Sequence, residues 1–218
     1  MTIEDPTIPP LRPRRGRLLL WSASPLLLAA LIASIFVWKQ YFSTYHLATV
    51  QPGVLYRDGA SNLSQFKVAV GKVQPRTVVC LVDDDEYVDP DKPQFHQEIV
   101  YLRGRGIRVE RIRVILGGWP SSEDVQQFLA LATDRANQPV LVHCAQGVRR
   151  TAMMVAAYQE SVLGYDKEKA KASILTFGHS DKTINDIKRF IDGYDPQSRT
   201  VSLPAAPAAN IKTQRVPG

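Results

Sequence analysis

Between residues 50 and 194, short apolar runs alternate with stretches whose apolar residues recur at helical spacing. Val54–Arg57, Thr77–Val82, Ile107–Ile115 and Val140–His143 read as strands, the second β-branched and bounded by Pro75 and by the acidic turn Asp83–Glu86. Pro93–Arg103, Thr151–Leu163, Asp166–Phe177 and Thr183–Tyr194 read as helices, with breaks at Gly104, Gly106 and Gly164. Ser121 or Ser122 caps another, whose Val125, Phe128, Leu129 and Ala132 share a face and whose Glu123 and Asp124 suit its positive end. This alternation predicts an α/β fold with a central, mostly parallel sheet flanked by helices.

The ends follow a different pattern. Leu18–Trp38 carries no charge and is long enough, at about 1.5 Å per residue, to cross a hydrocarbon layer of about 30 Å. It therefore reads as a transmembrane helix. Arg12, Arg14, Arg15 and Arg17 precede it and Lys39 stands alone just after it, so the positive-inside rule puts the N-terminus in the cytoplasm and the rest of the chain outside it. The expected organisation is a basic cytoplasmic tail at 1–17, the span at 18–38, one globular domain at 45–195, and a proline-containing flexible tail at 196–218.

Charge and cysteine content narrow the classes of function. Lys and Arg total 27 against 21 acidic residues, a net charge of +6. Part of that excess is the N-terminal arginine group, so no broad nucleic-acid-binding stripe remains, while a phosphorylated partner is still well served. The two cysteines, Cys80 and Cys144, cannot build a disulfide scaffold. No Cys/His set has zinc spacing, the four histidines are scattered, and neither metal nor cofactor is expected.

The chemistry concentrates in HCAQGVRRT, residues 143–151, where the strongest strand ends and a helix begins. Free backbone N–H groups at such a junction form an anion site, and Gly147 lets Ala145, Gln146, Gly147, Val148 and Arg149 curl into a nest around tetrahedral oxygens. Arg150 offers a planar fork to two of those oxygens. The same field favours the thiolate of a cysteine at this position, which makes Cys144 a nucleophile. Thr151 places a hydroxyl beside it, and Arg149 either adds charge to the rim or pairs with an acidic neighbour.

The same residues, H-C-x5-R-[ST], resemble the phosphate loop of the protein tyrosine phosphatase superfamily, nearest its dual-specificity-like branch. VLYRDGASN, PSSEDVQQFLALATDRANQPVLVHC and LGYDKEKAKASIL extend the resemblance over about residues 50 to 194. It implies that Cys144 attacks phosphorus to give a phosphocysteine that water hydrolyses, with Arg150 and the loop amides holding the oxygens and His143 tuning the thiolate. The implied substrates are phosphotyrosine or phosphoserine/threonine proteins, or a phosphorylated lipid or inositol. It also implies a general acid some twenty to thirty residues before the cysteine, where this chain has Gly117 and Gly118. Asp124 is the nearest aspartate, and it is either that acid or a helix N-terminal charge. Asp83–Glu86 is a second candidate set, or a solvated turn. Arg57 either supports the loop from a neighbouring strand or makes a surface ion pair. Some members of the superfamily oxidise the nucleophile to a disulfide with a cysteine on a neighbouring strand, which makes Cys80 a candidate redox partner as well as a buried small residue. Two rivals to an enzyme remain: a weakly active phosphate-binding module of the same fold and a rhodanese-like sulfur carrier.

Overall fold

The structure, a computed structural model, describes residues 16–175 and 177–203, and the chain divides after Tyr41 into two units. The first unit contains one helix, α1 (Gly16–Tyr41). Among the described residues no helix is long and apolar enough to cross a membrane. That finding overturns the transmembrane anchor expected at 18–38, and with it the membrane partner and the extracytoplasmic placement of the domain. Pro25 lies inside the helix, and the uncharged stretch beyond it, from Leu26 to Trp38, falls short of the roughly 20 residues a span requires. Ser34 lies within that stretch, its hydroxyl donating to the Ala30 carbonyl at 2.8 Å. The tail read at 1–17 lies, up to residue 15, outside the described residues.

In the second unit the elements run β1 (Ala48–Gln51), β2 (Leu55–Gly59), α2 (Leu63–Val73), β3 (Thr77–Cys80), α3 (Asp84–Val88), α4 (Gln94–Gly104), β4 (Arg108–Arg111) and α5 (Ser122–Thr133). They continue with β5 (Val140–Cys144), α6 (Arg149–Ser161), α7 (Lys167–Ala172), α8 (Asp181–Gly193), β6 (Tyr194–Asp195) and β7 (Thr200–Val201). Five strands form one sheet in the order β1-β2-β5-β3-β4, in which only the β1–β2 pair is antiparallel. The α/β class and the mostly parallel sheet are those the hydrophobic pattern predicts.

Register decides which residues share a face. Gly59 lies opposite Cys144, while Asp58 and Cys80 flank His143 from either side. Because side chains alternate along a strand, Leu55, Arg57, Val140, Val142 and Cys144 face one way, and Asp58, Val78, Cys80, Leu141 and His143 the other. The first face packs on α5, α6 and α8 through Phe128, Met153, Met154 and Phe190. The second packs on α2 and α4 through Phe66, Val70, Phe95 and Leu102. β5 sits between β2 and β3 with all five residues buried, so its carboxyl end is held firmly from both sides.

Three elements depart from the sequence expectation. α2 has a polar-interrupted sequence, but Asn62 caps it by accepting from the Gln65 amide at 2.9 Å, and Phe66, Ala69 and Val70 bury its inner face. Asp83–Glu86 is not a solvated turn: Asp83 caps α3 by accepting from the Glu86 amide at 2.8 Å. The tail expected from Pro196 begins with paired residues, since β7 folds back on β6.

Candidate active site

β5 ends at Cys144 and α6 begins at Arg149, so residues 145–148 form a short loop at the carboxyl edge of the sheet. Gly147 adopts φ +68, which brings its backbone against β2: a Cβ there would stand 2.4 Å from the Asp58 carbonyl oxygen. Gly59 permits the complementary approach, a Cβ on it falling 2.6 Å from the Gln146 oxygen. With both side chains absent, the loop folds over β2 and the Gly147 amide donates to Cys144 Sγ at 3.2 Å.

A cleft of about 330 Å³ opens above the sulfur, lined by Glu86, Lys92, Leu116, Gly117, Cys144, Ala145, Gln146, Arg149, Arg150 and Thr183. Arg150 is buried, and Nη1 reaches Glu86 Oε2 at 2.5 Å and the Val114 carbonyl at 3.1 Å, while Nη2 reaches Glu86 Oε1 at 3.1 Å. Burial opposes its charge, but the Glu86 hydrogen bonds, the Cys144 sulfur and the acidic neighbours raise its pKa above the ordinary arginine value. Its end-on fork is thus committed to Glu86, which leaves the Nε–Nη2 edge for an anion in the cleft.

Two features that sequence reading undervalued support this arrangement. Arg57 is buried beneath the loop, with Nη2 donating to the Gly147 carbonyl at 2.5 Å; desolvation pushes its pKa down to about 10, against the opposing pull of Cys144. Its signal in the sequence is the LYR triplet that begins β2. Asp83 accepts from the Leu116 amide at 2.8 Å while capping α3, and so fastens the 114–118 segment to the cleft wall.

Arg149 lines the rim and is also paired: Nε lies 3.2 Å from Asp186, Nη1 donates to the Gly118 carbonyl, and the guanidinium lies over the Trp119 ring at 4.9 Å. Thr151 is fully buried in the first turn of α6, its hydroxyl without a hydrogen-bond partner among the described residues. His143 faces the opposite side of the sheet from Cys144, its ring tilted on Phe66 with centroids 5.0 Å apart; burial pushes its pKa down to about 4. The imidazole therefore sits neutral behind the loop.

Asp124 does not line the cleft. It completes a capping box, accepting from the Ser121 amide at 2.8 Å while Ser121 Oγ accepts from the Asp124 amide at 3.1 Å. We expect Asp124→Ala to cost about 1 kcal/mol of stability in urea melts and to leave turnover near that of the parent chain. A large loss of rate at unchanged stability would restore it as the proton donor. Cys80 is buried among the residues packed on α2 and α4, whereas Cys144 belongs to the layer on α5 and α6, so the sheet itself separates the two free cysteines. Burial pushes the Cys80 thiol up to about 12. Among the described residues no group of His, Cys, Asp and Glu is arranged to hold a metal ion.

Comparison with known proteins agrees with this architecture. The family described as DSP-PTPase phosphatase fused to NAD+ kinase matches residues 76–190. The dual specificity protein phosphatase TpbA of Pseudomonas aeruginosa is 26% identical over 142 residues, 65% of this chain and 59% of that protein. Inositol diphosphatase DSP1 of Oryza sativa subsp. japonica is 29% identical over 119 residues, 53% of this chain and 49% of that protein. The chain spans less than two thirds of the length of the curated relatives it matches. The core catalytic domain of the PP-IP phosphatase SIW14 from S. cerevisiae shares the fold, with a TM-score of 0.58 and 18% identity over 71% of this chain and 88% of that one. The chain belongs to the family of DSP-PTPase phosphatases described as fused to NAD+ kinase, within the dual-specificity-like part of the protein tyrosine phosphatase superfamily.

Proposed function

We propose that the domain at 45–195 is a cysteine-dependent phosphatase. The observation that carries the reading is the Gly147 amide donating to Cys144 Sγ at the floor of a cleft that Arg150 lines with an uncommitted edge. The sulfur attacks phosphorus, an S–P bond forms as the P–O bond breaks, and the electron pair leaves on the ester oxygen. The loop amides from Ala145 to Arg149 and the Nε–Nη2 edge of Arg150 hold the three equatorial oxygens as charge spreads onto them. Water then attacks phosphorus, releases inorganic phosphate and returns the thiolate. Phosphorylated protein or phosphorylated inositol is the substrate class the relatives support.

Rapid acid quench of the chain with p-nitrophenyl phosphate, followed by peptide mass spectrometry, should find phosphate on the peptide holding Cys144. Release of p-nitrophenol without that adduct, in a chain whose rate survives Cys144→Ser, would sink the reading. Binding of phosphate with no turnover would instead leave a phosphate-binding module.

A second observation sharpens the substrate. Among the described residues lining the cleft, Glu86 is the sole carboxylate, and Arg150 occupies both of its oxygens. With no carboxyl proton donor among the described residues lining the cleft, the site favours groups that depart as stable anions, such as aryl oxides or the phosphate of a diphosphate. The likeness to a rice inositol diphosphatase supports the latter. Across a series of aryl and alkyl phosphates, kcat/KM should fall about tenfold per unit of leaving-group pKa. Alkyl phosphates turned over nearly as well as p-nitrophenyl phosphate would reveal an acid and remove this restriction.

A further inference from the structure

Behind the loop, on the face of the sheet away from Cys144, three buried titratable side chains meet. Asp58 on β2 is 0% exposed, His143 on β5 is its register partner, and Glu98 reaches in from α4 with Oε2 4.0 Å from His143 Nε2. Both carboxyl oxygens of Asp58, both of Glu98, and His143 Nδ1 are sealed from solvent and find no side-chain partner among the described residues, the backbone of Gly59 and of Cys144 being the polar neighbours of Asp58 and His143. The surroundings are Phe66, Phe95 and Cys80; of the buried cations, Arg57 faces the other side of the sheet, and the charge of Arg150 further disfavours a protonated His143. Five buried polar atoms without a side-chain partner in one apolar chamber are a large liability unless the carboxyls keep their protons.

The chamber is coupled to the loop through the backbone. Asp58 is the residue whose carbonyl abuts Gly147, its neighbours Arg57 and Gly59 contact Gly147 and Gln146, and His143 directly precedes Cys144. We infer that Asp58, Glu98 and His143 form a proton-holding cluster that positions the anion loop, so that the cluster's loss of a proton weakens the grip on a bound dianion. This inference rests on the reading of residues 144–150 as the phosphate site. A carboxylate created here adds negative charge behind a loop built for negative charge and leaves that charge buried without a partner, so the β2 backbone under Gly147 shifts.

Burial pushes Asp58 up to about 8, and burial followed by the repulsion of Asp58 raises Glu98 well above the ordinary glutamate value. A carboxyl raised in the folded state favours folding fully at low pH, and that stability drains away as the pH rises from about 4 through about 8. Burial pushes His143 down to about 4, Arg57 down to about 10 and Cys80 up to about 12, so the midpoints of all three lie outside a window of pH 7 to 9.

The experiment uses the full chain carrying Cys144→Ser, which removes the thiol from the cleft, and tungstate, a dianion throughout that window. Binding by calorimetry should weaken about tenfold from pH 7 to pH 9 in this parent, and far less when Asp58→Asn or Glu98→Gln is added. Melting temperatures of the same proteins control for folding: Asp58→Asn should raise stability more at pH 8 than at pH 5. A parent whose affinity is flat between pH 7 and 9, or a decline of equal size in the Asn and Gln proteins, would overturn the positioning role while leaving the phosphate site intact. Absence of tungstate binding at pH 7 would overturn both.

Discussion

Replacing Arg150 with lysine should lower kcat/KM for p-nitrophenyl phosphate by about a thousandfold, the upper end of what removing one preorganised oxyanion donor costs. The guanidinium performs two tasks at once: its end-on fork closes the Glu86 carboxylate, and its side edge remains for the transition state. An ammonium at the end of a flexible stem cannot do both. It either moves to Glu86 and abandons the cleft, or faces the cleft and leaves a buried carboxylate without its fork. Steady-state kinetics with thermal melts separate these costs, because loss of the oxyanion donor lowers rate while an exposed Glu86 charge lowers stability. A lysine variant within tenfold of the parent would show that the loop amides alone hold the phosphate.

Gly147→Ala should abolish measurable tungstate binding and cost about 2–4 kcal/mol of stability in urea melts. Two strains add at this residue: φ is +68, and the new methyl group meets the Asp58 carbonyl at 2.4 Å and the Gly59 amide nitrogen at 2.6 Å. Neither neighbour yields easily, since β2 is paired on both sides, with β1 and with β5. Gly164 supplies the control: its φ is +67, but a methyl group there would meet nothing within 4 Å, so Gly164→Ala should cost only about 1 kcal/mol. Equal costs at the two sites would mean that the loop is free to lift from β2, and that its shape is not imposed by the close approach.

Much of the site was legible because it is local. A buried β-branched strand, a cysteine, a glycine and an arginine six residues on occupy one continuous stretch, and a strand-to-helix junction fixes their geometry with little help from elsewhere. The supports of Arg150 were not legible. Glu86 lies 64 residues away inside an acidic run that sequence alone reads equally well as a turn, and only the packing of α3 against the sheet edge brings it to the guanidinium. Asp124 reads in the sequence either as the acid or as a helix N-terminal charge, and its place in the first turn of α5 commits its carboxylate to the Ser121 amide. Cys80 looked like a redox partner because its strand adjoins that of Cys144, and the two-residue alternation of a strand puts the thiols on opposite faces.

The sequence by itself determined the α/β class, the helices from α4 to α6, and the placing of Cys144, Gly147 and Arg150 on one strand-to-helix loop, all of which rest on periodicities and spacings within one stretch of chain. Only the tertiary structure decided that Glu86 and Arg57 brace the loop, that Asp124 is a cap, and that Asp58, Glu98 and His143 share a buried chamber behind it. Those outcomes depend on register and on which face of the sheet each helix covers, and such long-range pairings leave no periodic trace along the chain.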